Sequence, residues 1–158
     1  MCHSDHHLMT GGIPMGGFPI LGGHEGAGVV EALGEGVTDF EVGDHVVLSF
    51  IPSCGKCKWC VSGRQNLCDL GAQLFDIGMI TDGRIAHKVC DTTLARMCQV
   101  GTFSEHLLVA ESGVVKVEPD LPWHAVALVS CGVATGFGSA VHRGEVQPGD
   151  NVAVIGCG

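Results

Sequence analysis

Four cysteines between residues 54 and 68 constrain this chain more than any other feature: Cys54-x2-Cys57-x2-Cys60-x7-Cys68. Gly55 and Gly63 lie in the same stretch and let the backbone wrap. Four soft thiolates at this spacing suit the closed tetrahedral coordination of a structural zinc, which leaves no open position for chemistry. An iron–sulfur cluster also takes four thiolates, but the bacterial ferredoxin run places its fourth cysteine closer and follows it with proline. Here Cys68 is followed by Asp69. Free or disulfide-paired cysteines are the remaining reading, and the metal-like spacing weighs against it. The N-terminus, Met1-Cys2-His3-Ser4-Asp5-His6-His7, has neither a basic lead nor an apolar core, so no secretory signal is expected. The expected setting is the reducing cytoplasm, where nine cysteines serve metals or catalysis rather than disulfides.

The length of 158 residues allows one domain with a real core, and hydrophobic residues at 46% with 25 glycines describe a buried, turn-rich chain. A net charge of −9 argues against a general nucleic-acid binder, which needs cations to displace phosphate counterions. Three of the eight cations, Lys56, Lys58 and Arg64, lie in the cysteine lobe with only Trp59 as an aromatic platform, and read as solvated residues. Expected strands are Gly26–Leu33, Val42–Phe50, Thr102–Ala110 and Gly113–Glu118, with a long loop from Asp69 to Gly101. Pro122 opens a helix, and Gly132 to Gly138 should separate it from a second helix ending at His142. The uncharged stretch Ala125–Val141 reads as a buried helical region, too short for a bilayer. Asn151–Ile155 reads as an apolar strand running into Gly156-Cys157-Gly158, the start of a dinucleotide fingerprint without its third glycine, helix or acidic residue.

Three further candidate ligands stand outside the cluster: Cys2 in CHSD, His24 in GHEGAG, and Cys131 in SCGVATG. With GHEGAGVV, GDHVV, CGKCKWC…C, CGVATGFG and NVAVIGCG, these segments follow one another in an order that resembles the zinc-containing medium-chain alcohol dehydrogenases over nearly the whole chain. The resemblance implies a mainly β fold with short helices. A GroES-like β-barrel catalytic domain would span residues 1–145 with the zinc lobe at 53–69, and an α/β Rossmann domain would begin at 146–158. It also implies two zinc ions, NAD(P) in the full-length parent, a small-molecule alcohol or aldehyde as partner, and a homo-oligomer. Neither nucleic acid nor membrane is implied. Relatives with longer loops, including thiol-adduct formaldehyde dehydrogenases, look closest.

By that resemblance Cys2, His24 and Cys131 hold a catalytic zinc, a ligand set for which alcohol dehydrogenase is itself the standard example. Asp5 would orient His24, and Glu25 would tune or approach the metal, a plain buried ion-pair role being equally open. Ser4 and His7 resemble a relay that passes the alcohol proton to solvent, although His6 and His7 also read as a surface histidine pair. His3 would lie near the cofactor pyrophosphate, Thr135 against the nicotinamide, and Gly156 and Gly158 at the dinucleotide turn. Phe50 would be either a substrate-pocket wall or ordinary core. The sequence assigns no role, and excludes none, for Cys90, Cys98 and Cys157. Family members carry barrel strands before the catalytic cysteine and a full Rossmann domain, so the chain alone is expected to have an incomplete barrel, no complete NAD site and no activity. The competing reading is a non-enzymatic zinc module that keeps only the 53–69 lobe, with one zinc per chain instead of two.

Overall fold

The computed structural model describes residues 1–157. It contains six short strands: β1 (Ile20–Leu21), β2 (Ala27–Val29), β3 (His45–Leu48), β4 (His87–Val89), β5 (Thr92–Arg96) and β6 (Val114–Lys116). One sheet has the order β1-β5-β4, with β1 parallel to β5; the other is antiparallel in the order β2-β3-β6. Val46, Val47 and Leu48 on β3 are all buried, as a central strand covered on both faces requires. Leu48 joins Leu8, Met97, Cys98 and Val100 in the core, with Phe50 packed against them.

The N-terminal segment is helical, which the sequence pattern did not suggest. α1 (His3–Thr10) begins at Cys2 and ends on Gly11 at φ +77°, where the N–H groups of Gly11 and Gly12 reach back to the carbonyls of Leu8 and His7. Asp5 and Leu8, three residues apart, are its two buried positions, so one narrow stripe anchors the helix.

Three expectations about strands and loops need correction. The 69–101 loop contains the β4–β5 hairpin, whose two-residue turn is Cys90-Asp91; Cys90 takes φ +51° without the Asn-Gly chemistry that would have announced it. Thr102–Ala110 forms no strand. After Thr102 and Phe103 pair with Gly23 and Gly22, the segment borders a wide groove opposite residues 26–34, and a strand without a ladder partner does not form. Asn151–Ile155 is also irregular and exposed, with no neighbouring strand among the described residues to pair it.

The glycines at 132–138 do not break the helix. α3 (Trp123–Leu128), a π turn (Val129–Val133), α4 (Ala134–Phe137) and a second π turn (Gly138–Arg143) form one continuous run of 21 residues. Gly138 keeps ordinary helical dihedrals of φ −61° and ψ −38°. Glycine permits a break but costs only about 1 kcal/mol inside a helix. Nor is this run buried: Val126 and Cys131 are, but Leu128, Val129, Val133, Phe137 and Val141 are 40–60% exposed. By length and composition alone the run could cross a membrane. Its first turns nevertheless lie on the β2-β3-β6 sheet, where the Trp123 and His45 rings stand 4.5 Å apart.

Candidate metal centres

The cysteine lobe is built from tight turns. Gly55 and Gly63 take φ +70° and +77°, and α2 (Lys58–Val61) places Cys60 on its inner side. One sulfur from each of Cys54, Cys57, Cys60 and Cys68 lies within 4.8 Å of the others, and Cys54 Sγ stands 4.0 Å from Cys60 Sγ. Two backbone N–H groups already point at sulfur: Cys57 N–H donates to Cys54 and Cys54 N–H to Cys68, both at 3.4 Å. All nine cysteines are free. Backbone N–H groups of Asp69 and Cys60 pull the Cys57 thiol down to about 6, whereas burial pushes Cys68 up to about 11. A divalent soft-to-borderline cation resolves that split by holding all four as thiolates, so the donor set fits zinc. Because binding energy in such a loop is folding energy, chelation should disorder residues 53–69 before the sheets melt. Amide exchange across the lobe should accelerate on adding chelator while β3 stays protected; an unchanged lobe would contradict this.

The second centre gathers remote segments. Cys2 at the start of α1, His24 after β1, and Cys131 on the first π turn bring one donor atom each to within 4.8 Å of one another. His24 and Cys131 are buried. Burial raises the Cys131 thiol, partly offset by the Thr135 hydroxyl 3.8 Å away. The π register is a known device for turning a functional side chain inward.

Asp5 ties this centre together. One oxygen accepts from Cys2 N–H at 2.8 Å; the other accepts from Gly23 N–H at 3.1 Å and lies 3.4 Å from His24 Nδ1. Nδ1 is otherwise without a hydrogen-bond partner, and a ligating imidazole normally gives its other N–H to a carboxylate. Two cysteines and a histidine leave a tetrahedral ion one open position, so these donors also fit zinc, in the form that does chemistry.

The other expected residues fall at varied distances. Ser4 Oγ is 3.8 Å from Cys2 Sγ, beside the donors. His7 is exposed on α1 with its ring against His3, and no hydrogen bond joins it to Ser4. Glu25 is outside the donor triad: its Oε1 accepts from Gly132 N–H at 3.1 Å, linking the His24 segment to the Cys131 turn. Phe50 stands edge-on to the His24 ring at 5.4 Å while also packing on the core. Gly156 takes φ +79°, and Gly158 lies outside the described residues.

The family model of the alcohol dehydrogenase GroES-like domain matches residues 1–120. The chain belongs to that family. It is 55% identical over all 158 residues to alcohol dehydrogenase B of Mycobacterium tuberculosis, of which it covers 42%. It is 41% identical over the same span to a probable S-(hydroxymethyl)glutathione dehydrogenase of Schizosaccharomyces pombe, again covering 42%. Among solved structures, an alcohol dehydrogenase zinc-binding domain protein from Burkholderia ambifaria matches with a TM-score of 0.82 at 32% identity, over 96% of this chain and 41% of that one. The chain thus spans about two fifths of the length of the relatives it matches. The GroES-like fold, mainly strand and loop with short helices, is the fold these neighbours share.

Within this GroES-like domain, two features had no clear sequence signal. Cys98 is buried at φ +51°, and burial, with the charges of Cys131 and Asp5, pushes its thiol up to about 11. Gly23 at φ +87° is packed against Thr102 and Phe103, and only the glycine doublet before His24 hinted at it.

Proposed function

We propose that the protein containing this chain is a zinc-dependent oxidoreductase that moves a hydride between a primary alcohol or aldehyde and NAD(P). The observation that carries the reading is the convergence of Cys2, His24 and Cys131, from three remote segments, on one buried point. Zinc held there supplies Lewis acidity that lets an alcohol lose its proton near neutral pH. The chain's own residues do the rest. Asp5 fixes the His24 ring and the Cys2 backbone, Glu25 braces the Cys131 turn, and Phe50 closes one wall. Ser4 takes the alcohol proton and His7 hands it to solvent. His3, Thr135, Gly156 and Gly158 are the proposed cofactor contacts. Residues 1–145 form the catalytic domain, and 146–158 begin the dinucleotide-binding one. Free cysteines and an acidic surface favour a cytoplasmic protein with small-molecule substrates; a homo-oligomer, with no nucleic-acid or membrane partner, completes the reading.

The test is metal analysis with kinetics in a full-length protein. Two zinc ions per chain are expected; a single zinc would favour a non-enzymatic lobe. His24→Ala should lose one zinc and all activity together. His7→Ala should keep both ions and slow alcohol oxidation about 100-fold, the low end for acid–base catalysis, because water can substitute. Zinc loss in His7→Ala, or an unchanged rate, would remove the relay. The similarity to the Schizosaccharomyces pombe protein supports a second substrate class, the adduct of formaldehyde with a thiol. Turnover of formaldehyde only when glutathione is added would select it.

A further inference from the structure

α1 uses one face, Asp5 and Leu8, to hold the domain together. The opposite face presents His3, His6 and His7, all exposed. One ring nitrogen from each lies within 4.8 Å of the other two. The His3 ring stands 4.6 Å from His7, edge to face, and 5.1 Å from His6. The i, i+4 pair His3–His7 has the spacing with which one helix face chelates a zinc-class ion, and His6 adds a third imidazole on the same side.

We propose that His3, His6 and His7 form a third metal site, for a borderline divalent transition ion, completed by water. Neutral imidazole selects this class: it suits Zn²⁺, Ni²⁺ and Cu²⁺, whereas Ca²⁺ and Mg²⁺ require oxygen donors. Tetrahedral bonds of about 2.0–2.1 Å put nitrogens roughly 3.3 Å apart, so the rings must close by an ångström or so. Exposed side chains make that adjustment by rotation, without moving the helix. His3 sits in the first turn, where the helix dipole weakly opposes a cation. That cost is small beside three ligand bonds, and no lysine or arginine precedes Lys56 in the chain to add repulsion. This site differs from the two described above in being open to solvent and free of sulfur, so its ion exchanges readily. Occupancy would also take His7 from the proposed relay and His3 from the proposed cofactor contact, consequences that rest on that reading; the binding itself does not.

The experiment is calorimetric titration of Ni²⁺ into the zinc-loaded protein, with zinc content and the ultraviolet spectrum followed in parallel. One Ni²⁺ per chain should bind with a dissociation constant on the order of micromolar. No zinc should be released, and no thiolate-to-nickel charge-transfer band should appear. His6→Gln, which leaves Ser4 and His7 in place, should weaken binding at least tenfold while zinc content stays unchanged; His3→Gln should do the same. Absence of nickel binding, unchanged affinity in His6→Gln, or nickel entering only as zinc leaves with a thiolate band, would each overturn the site.

Discussion

Asp5→Ala should remove one zinc ion from the protein and leave the other, taking activity with it. Asp5 touches no metal, yet its buried carboxylate receives the N–H of Cys2 and of Gly23 and faces His24 Nδ1. Alanine strands two backbone donors that have no other acceptor, at about 1–3 kcal/mol for the buried Gly23 N–H and less for the half-buried Cys2 N–H. It also frees the His24 ring to turn and releases the start of α1, where the first donor sits. The cysteine lobe shares none of these bonds, so its ion should stay. The measurement is zinc per chain alongside a denaturation curve, with Asp5→Asn as companion. Asparagine keeps one oxygen acceptor in the same volume and should retain more zinc and more stability than alanine. Both ions present in Asp5→Ala would show that Cys2 and His24 are held in place by something else.

Gly23→Ala should damage the fold strongly although Gly23 is no metal ligand. At φ +87° a side chain is strained wherever it points. Here it also meets Thr102 Oγ1 at 2.5 Å, Phe103 Cδ1 at 2.7 Å and Phe103 N at 2.8 Å. The backbone atom cannot step aside, because Phe103 N–H is bonded to Gly22 O. Positive φ alone costs about 1–3 kcal/mol, and the overlap adds a similar amount. Since Gly23 precedes His24 and donates to Asp5, the displacement reaches the donors. A fall in unfolding free energy on the order of 3 kcal/mol, with loss of one zinc, is expected. By contrast Gly28→Ala, where nothing lies within 4 Å, should be nearly neutral. Equal stabilities for the two variants would refute the packing argument.

What the sequence made legible was the part written in local spacing or distinctive residue type. The cysteine lobe is the clearest case, because its four donors and both positive-φ glycines lie within one short stretch. Cys2, His24 and Cys131 could be nominated only through resemblance, since nothing in a linear pattern announces that distant segments meet. The errors share a cause. Thr102–Ala110 and Asn151–Ile155 have strand composition, but a strand exists only with a partner, and composition does not report one. The reverse holds for α1: its buried face is two residues wide, too narrow to give a helical period. Glycines at 132–138 predict an interruption because breaking a helix is their commoner effect, whereas here the helix continues through the π turn that carries Cys131.

The separation of the donors along the chain also sets an order of events on the ribosome. The lobe's outer cysteines are 14 positions apart, so that site is complete almost as soon as residue 68 emerges. The other centre waits until Cys131 has emerged. At about 5–20 residues per second that interval lasts several seconds. During it, Cys2 and His24 are exposed on nascent chain with no third donor. Closing the longer loop costs about 2 kcal/mol more in chain entropy. The lobe can therefore close on its ion before the second centre has all of its donors.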